Sequence, residues 1–228
     1  MSDGWNTVAM PAAASLPSPI TRYASPITRF LGTVEYAGAY EAMRRFTAER
    51  GRDTPDELWV LEHPPVYTVG QAGRREHLPR GSSIPVVQVD RGGQITYHGP
   101  GQAVAYLLFD LRRRGFAVSS LVRRIEQAVI DLLALHGVQA ARQPRAPGVY
   151  VAGAKVAALG LRVRRGCCYH GVALNVDMDL APFAAIDPCG YPGLEVTQLA
   201  DLGVALTPEQ AAGELAEALV ARLSRSAT

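Results

Sequence analysis

Lysine is almost missing from this chain. Of its 23 lysine and arginine residues only one, Lys155, is lysine, so its positive charge is arginine nearly throughout. Charge of either sign is sparse, at 19% of 228 residues with a formal net charge of +2. That balance provides no basic field to hold nucleic acid. Cysteine is rare as well. Three thiols, two of them adjacent at Cys167 and Cys168, do not make a disulfide framework and fit a reducing, cytoplasmic setting. No apolar run is long enough to cross a bilayer, so no membrane association is expected.

What the chain does hold is 48% hydrophobic residues, enough for a sizeable core. The first 30 residues stand apart. They are rich in Ala, Ser and Pro and carry a tandem repeat, SPITRYA at 18–24 and SPITRFL at 25–31. The absence of acidic residues between Asp3 and Glu35 suits a transit peptide, but prolines at 11, 17, 19 and 26 oppose the helix such a peptide needs. The expectation is a flexible extension over 1–30 and a single domain over 31–228.

From Gly32 onward strand and helix patterns interleave. GTVEY at 32–36 predicts a strand and AYEAMRRFTAER at 39–50 a helix ended by Gly51. ELWVLEHPPVYTVG at 57–70 reads as two strands broken by Pro64 and Pro65. Further strands are expected in 84–90 and 95–111, the latter interrupted by Gly99, Pro100 and Gly101. The residues 119–137 form the clearest helix, capped by Ser119 or Ser120, with an apolar stripe of Leu121, Ile125, Val129, Leu132 and Leu135. Strand patterns at 148–153, 154–163 and 169–178 follow, with a hairpin turn at 164–166. A last helix over 207–223 opens with Thr207, Pro208 and Gln210 in capping-box order. The fold class is α/β (α+β), a mixed β-sheet flanked by helices.

Three places can carry chemistry. RGGQITYHGPGQ, 91–102, combines an arginine, four glycines, Tyr97 and His98, a composition that brings backbone close to a ligand. It lacks the spacing of a phosphate loop, so nucleotide binding does not follow. DPCGYPGLEVTQL, 187–199, holds Cys189 on a constrained loop, where a thiol beside a cation or base becomes a nucleophile. The bland reading, a small buried hydrophobe, suits Cys167 and Cys168 better. In VAGAKVAALG, Lys155 points outward, pairs with an anion or gives up its proton. Arginine is always protonated and does not do the last. His63 is a candidate pocket residue. A zinc site from Cys167, Cys168, His170 and Cys189 is disfavoured, because adjacent cysteines face opposite ways on a strand and no C-x-x-C exists.

These three stretches, in this order, together with EHPPVYTVG at 62–70, closely resemble the lipoyl(octanoyl) transferase family over roughly residues 30 to 222. The resemblance implies the fold of the biotin and lipoate protein ligases. It implies transfer of an octanoyl group from octanoyl-acyl carrier protein to a lysine of lipoyl domains, those of 2-oxoacid dehydrogenases and of the glycine cleavage H protein. Cys189 would carry the acyl thioester and Lys155 would assist it, then take a proton from the acceptor amine. Acyl-substrate contacts carry over to Arg91, Gly92, Gly93, Gln94, Ile95, Thr96, Tyr97 and His98, to Ala158, Leu159 and Gly160, and to Gly171, Val172 and Ala173. No cofactor and no metal is implied, since the acyl group arrives on the carrier's phosphopantetheine arm, and the expected state is a monomer. Arginines 112–114, 162 with 164 and 165, or 74 and 75 are candidate docking clusters for an acidic carrier. The rival readings are an ATP-dependent lipoate protein ligase of the same fold and a non-enzymatic module that binds lipoyl or acyl carrier domains.

Overall fold

The computed structural model describes residues 24–73, 79, 82–186 and 194–224. Seven strands make one sheet: β1 (Ile27–Thr33), β2 (Glu57–Glu62), β6 (Gln102–Asp110), β10 (Cys167–Asn175), β9 (Ala154–Arg164), β8 (Ala146–Val151) and β7 (Ala141–Gln143), in that spatial order. Three more, β4 (Val86–Gln88), β3 (Val66–Val69) and β5 (Ile95–His98), make a second, smaller sheet. The pairs β1–β2 and β3–β4 are parallel and the others antiparallel, so both sheets are mixed.

The helices cover the large sheet on both faces. On one face α2 (Val118–Leu135) and α4 (Pro208–Leu223) bury Leu121, Ile125, Leu132, Leu215 and Leu219 against Leu107, Phe109 and Val156. On the other, α1 (Tyr36–Glu49) lays Ala39 and Met43 on Val104, Tyr106, Leu108 and Ala173. β6 alternates accordingly: 103, 105, 107 and 109 face α2 and α4, while 104, 106 and 108 face α1. A short helix, α3 (Ala181–Ala184), closes the small sheet by packing Phe183 on Tyr97.

Pro64 and Pro65 do more than separate two strands: they hand the chain from the large sheet (β2) to the small one (β3). The 164–166 turn has positive φ at Arg165 (52°) and Gly166 (80°), the two-residue geometry that matches strand twist. Thr207 caps α4 as expected, its Oγ1 accepting from Gln210 N at 3.3 Å while Gln210 Oε1 accepts from Thr207 N at 2.9 Å. Thr207→Ala should therefore lower stability by about 1 kcal/mol, read from the urea midpoint.

Three expectations shift. The strand expected at 32–36 lies earlier, at Ile27–Thr33, and helix α1 begins at Tyr36. Residues 27–30, assigned to the extension, thus belong to the edge of the large sheet, held by Arg29 to Glu57 at 2.7 Å. The second copy of the repeat enters a strand, and the first, Ala24 apart, falls outside the described residues. Helix α2 starts from Ala117 without a side-chain cap; Ser120 Oγ instead donates back to Ala117 O at 2.8 Å. Leu135, the last member of its apolar stripe and the last residue of the helix, is 82% exposed.

Candidate active site

The expected substrate residues converge. β9 and β10 pair so that Ala158 faces Ala173, Leu159 faces Val172 and Gly160 faces Gly171. Six residues separated in sequence by a hairpin thus form three adjacent rungs. With Arg91, Gly93, Gln94, Ile95, Thr96 and His98 they line one cavity of about 50 Å³ between the two sheets. Small side chains on these rungs leave a slot rather than a filled core. Gly160 is small for a second reason, since a Cβ there would lie 2.9 Å from Arg91 Cδ. The Arg91 stem crosses over it, and the guanidinium bonds Thr68 O at 2.7 Å and Thr68 Oγ1 at 2.9 Å on β3. Arg91 therefore ties the glycine-rich loop to the small sheet. Gly92 N ties the same loop to the large sheet by donating to Leu161 O of β9 at 2.9 Å.

A wider cavity of about 380 Å³ adjoins the slot and shares Gly93, Gln94, Leu159 and Gly160 with it. Val118, Val122, Ala146 and Pro147 form its far side. Gly92 lines this space rather than the slot.

Lys155 is 3% exposed, and a strand irregularity decides where it points. The β8–β9 register runs Gly148 to Ala158 and Val149 to Ala157, then jumps to Tyr150 opposite Lys155. The extra residue on β9 is Val156, and Val156 and Ala157 both pack into the α2/α4 core. Strict alternation would put Lys155 on that core side with Ala157. The bulge turns it to the other face, shared with Ala158 and Gly160. Its Nζ lies 3.4 Å from Pro147 O and 5.2 Å from the Tyr150 ring centroid. A Cβ at Gly148 would meet Lys155 Cε at 3.0 Å and Ala157 O at 2.8 Å, so that position is glycine to seat the amine. Lys155 N donates to Glu195 O at 2.8 Å and its carbonyl accepts from Thr197 N at 2.9 Å. The segment that rejoins the described structure after Cys189 therefore does so at Lys155. Cys189 itself lies outside the described residues.

A sequence profile of the lipoyl protein ligase A/B catalytic domain matches residues 35–220. The chain belongs to that family. It is 64% identical over 195 residues to an octanoyltransferase of Thiobacillus denitrificans, covering 86% of this chain and 89% of that one. Among solved structures, a lipoate-protein ligase A bound with ATP aligns with a TM-score of 0.75 at 14% identity, over 90% of this chain and 88% of that one. A bipartite lipoate protein ligase of Thermoplasma acidophilum, described with its E2 lipoyl domain, gives 0.73 at 15%, over 88% and 84%. Biotin protein ligase from Aquifex aeolicus gives 0.53 at 12%, over 86% and 70%. The mixed sheets flanked by helices are those of the lipoate and biotin ligases.

Within this family fold one expected contact is corrected. Tyr97 packs against Tyr67 and Phe183, with ring centroids 5.5 Å away in each case, on the far side of the small sheet. Alternation along β5 sends Thr96 and His98 to the slot and Tyr97 away from it. Ile95, at the strand's start, borders both sides. His63 is fully buried one layer behind the slot: Nδ1 donates to Val34 O at 2.6 Å and Nε2 accepts from Tyr106 OH at 2.7 Å.

Sequence reasoning missed Tyr36, Val104, Tyr106 and His170, which all line the slot. The available signal for His170 was its place directly before Gly171. Desolvation holds the imidazoles neutral, lowering His63 to about 4 and His98 to about 3 and pushing His170 below its ordinary value. His98 Nδ1 donates to Gln102 Oε1 at 2.7 Å. Asp90 receives His170 Nε2 at 3.3 Å and the Tyr169 hydroxyl. Burial raises the Asp90 carboxyl, but these hydrogen bonds and that of Tyr40 outweigh it and keep the group ionised.

The other thiols are unsuited to nucleophilic work. Burial pushes the Cys168 thiol up to about 12 and raises that of Cys167. Of the first arginine cluster, Arg113 and Arg114 are bound to Asp56, which leaves Arg112 as the solvated member at 71% exposure. Arg162 reaches Gln71 Oε1 at 3.1 Å, and Arg164 and Arg165 stand exposed on the hairpin. Arginines 74 and 75 lie outside the described residues. Among the described residues no three His, Cys, Asp or Glu side chains converge as metal ligands, and no helix is long and apolar enough to cross a membrane.

Proposed function

We propose that the chain transfers an octanoyl group from octanoyl-acyl carrier protein to a specific lysine of lipoyl domains, through a thioester on Cys189. The observation that carries this reading is the narrow slot of Ala158, Gly160, Gly171 and Ala173 on the face to which a bulge turns the only lysine. The curated relatives bear the name octanoyltransferase, and the fold is that of enzymes that modify such domains.

The Cys189 thiolate, favoured by Lys155, attacks the carrier's thioester carbonyl. The bond to phosphopantetheine sulfur breaks, and that thiol leaves with the proton Lys155 had taken from Cys189. The acceptor lysine, as a neutral amine, then attacks the new thioester; a C–N bond forms, the C–S bond breaks, the Cys189 thiolate departs and Lys155 takes the proton that the amine loses. Backbone N–H groups near Leu159 and Gly160 are suited to the developing oxyanion. The wider cavity, walled by Pro147, Val118 and Val122, accommodates the pantetheine arm at the slot's mouth. Because the donor is already a thioester, no ATP, metal or other cofactor enters, and the unit that acts is the monomer.

Intact-mass spectrometry tests the core of this. After mixing with octanoyl-acyl carrier protein, wild type should gain one octanoyl group without ATP, and Cys189→Ser should gain none. An ATP requirement would favour the ligase reading. An adduct that survives loss of Cys189 would refute the thioester, and binding of both carrier domains without any transfer would favour the non-enzymatic module.

A further inference from the structure

The three rungs of the slot have unlike ends. The first joins Ala158, Ala173 and Val104, the second Leu159, Val172 and Ala105, the third Gly160, Gly171 and Tyr106. Beyond the third, His170 stands opposite Leu161. The Lys155 amine lies level with the first rung, because a Cβ on Gly148, the β8 partner of Ala158, would sit 3.4 Å from Nζ. Three residue steps lead from that rung to the His170 rung, a span of about 10 Å at strand rise. An extended chain advances roughly 3.5 Å per three bonds, so the seven C–C bonds of an octanoyl group span about 8 Å.

The far end is polar in a specific way. His170 has a left-handed backbone, φ 65°, and its side chain is 2% exposed. Asp90, as a carboxylate, only accepts, so the His170 nitrogen facing it, Nε2, carries the proton. Nδ1 is then a bare lone pair, buried and without a hydrogen-bond partner among the described residues. The Tyr106 ring meets the His170 ring edge-on, with centroids 6.2 Å apart, and its hydroxyl bonds His63. A methyl group pressed against such a lone pair returns no hydrogen bond.

We infer that His170 terminates the acyl slot and sets the chain length that the enzyme accepts. A chain tethered beside Lys155 ends its methyl just short of the His170 rung at eight carbons. Two further carbons push apolar atoms onto Nδ1. The first rung is then the complementary control point, since any side chain larger than Ala173 shortens the slot from the thioester side. This rests on the acyl group being held as a thioester beside Lys155.

The test is a chain-length profile of enzyme acylation, followed by intact mass with hexanoyl, octanoyl, decanoyl and dodecanoyl carrier protein. His170→Gly suits the left-handed backbone and removes the polar stop, so decanoyl and dodecanoyl transfer should rise roughly tenfold relative to octanoyl. His170→Asn also tolerates that backbone, keeps a polar group and should keep the octanoyl preference. Ala173→Val should shift the preference toward hexanoyl. A wild-type profile in both His170→Gly and Ala173→Val overturns the inference, as does an equal shift in His170→Asn and His170→Gly. Failure of the underlying reading looks different: wild type then takes up none of the four chains.

Discussion

Lys155→Arg should fold like wild type and transfer octanoyl about 10²–10⁴-fold more slowly, the range that a positioned proton carrier contributes. The substitution keeps the positive charge but removes the exchangeable proton, since guanidinium stays protonated. It also meets a site shaped for an amine. Gly148 and the Tyr150 ring enclose the end of the side chain, and Pro147 O lies 3.4 Å from Nζ. Single-turnover transfer read beside a thermal melt separates chemistry from folding. Wild-type turnover in a well-folded Lys155→Arg would show that charge alone suffices and that no proton leaves this residue.

Replacement of Asp56 by alanine should lower stability by about 3–5 kcal/mol, the usual result of stripping one partner from a buried ion cluster. Asp56 takes Arg50 at 2.7 Å and Arg113 at 2.6 Å, with Arg114 as a third partner, and its side chain and those of Arg50 and Arg114 are at most 3% exposed. Arg114 in turn holds Leu223 O at 2.9 Å and Ala24 O at 3.0 Å, so the cluster ties the C-terminal helix and the start of the described chain to the sheet. Burial raises the Asp56 carboxyl, but the Asp110 N–H and the arginines outweigh it and leave it below the ordinary value. A group with a depressed folded value stabilises above the unfolded value, about 3.9, and loses that contribution as pH falls through the folded one. The stability gap between wild type and Asp56→Ala, read from urea midpoints, should therefore narrow as pH drops below about 4. A gap that is independent of pH would mean that the loss is one of packing rather than charge.

Much of this was legible in the chain. Glycine-rich loop, lone lysine and loop cysteine are each local signals: glycine marks close backbone approach, and an amine among apolar residues needs a reason to be there. The capping box at Thr207 and the hairpin at 164–166 are equally local, and both are where the sequence puts them. The start of the domain was misjudged because a proline-rich repeat looks like a linker, whereas its second copy gains partners on β2 that only folding supplies. Tyr97 was misplaced because a motif is contiguous in sequence while a strand deals its residues to opposite faces.

The sequence by itself determined the residue types of the site and the family to which they belong, because those reside in short motifs. Tertiary structure decided which way they point. Alternation counted along VAGAKVAALG puts Lys155 with Ala157 and Leu159, facing the helices; one extra residue in β9 reverses this and sets the amine on the slot face. His170 enters the sequence reading only as a disfavoured zinc ligand, and its place beside Gly171 does not say what it faces. It becomes a stop only where Asp90, from another element, fixes its proton and leaves the other nitrogen bare. Such pairings form between segments far apart in the chain, and only the register of paired strands brings them together.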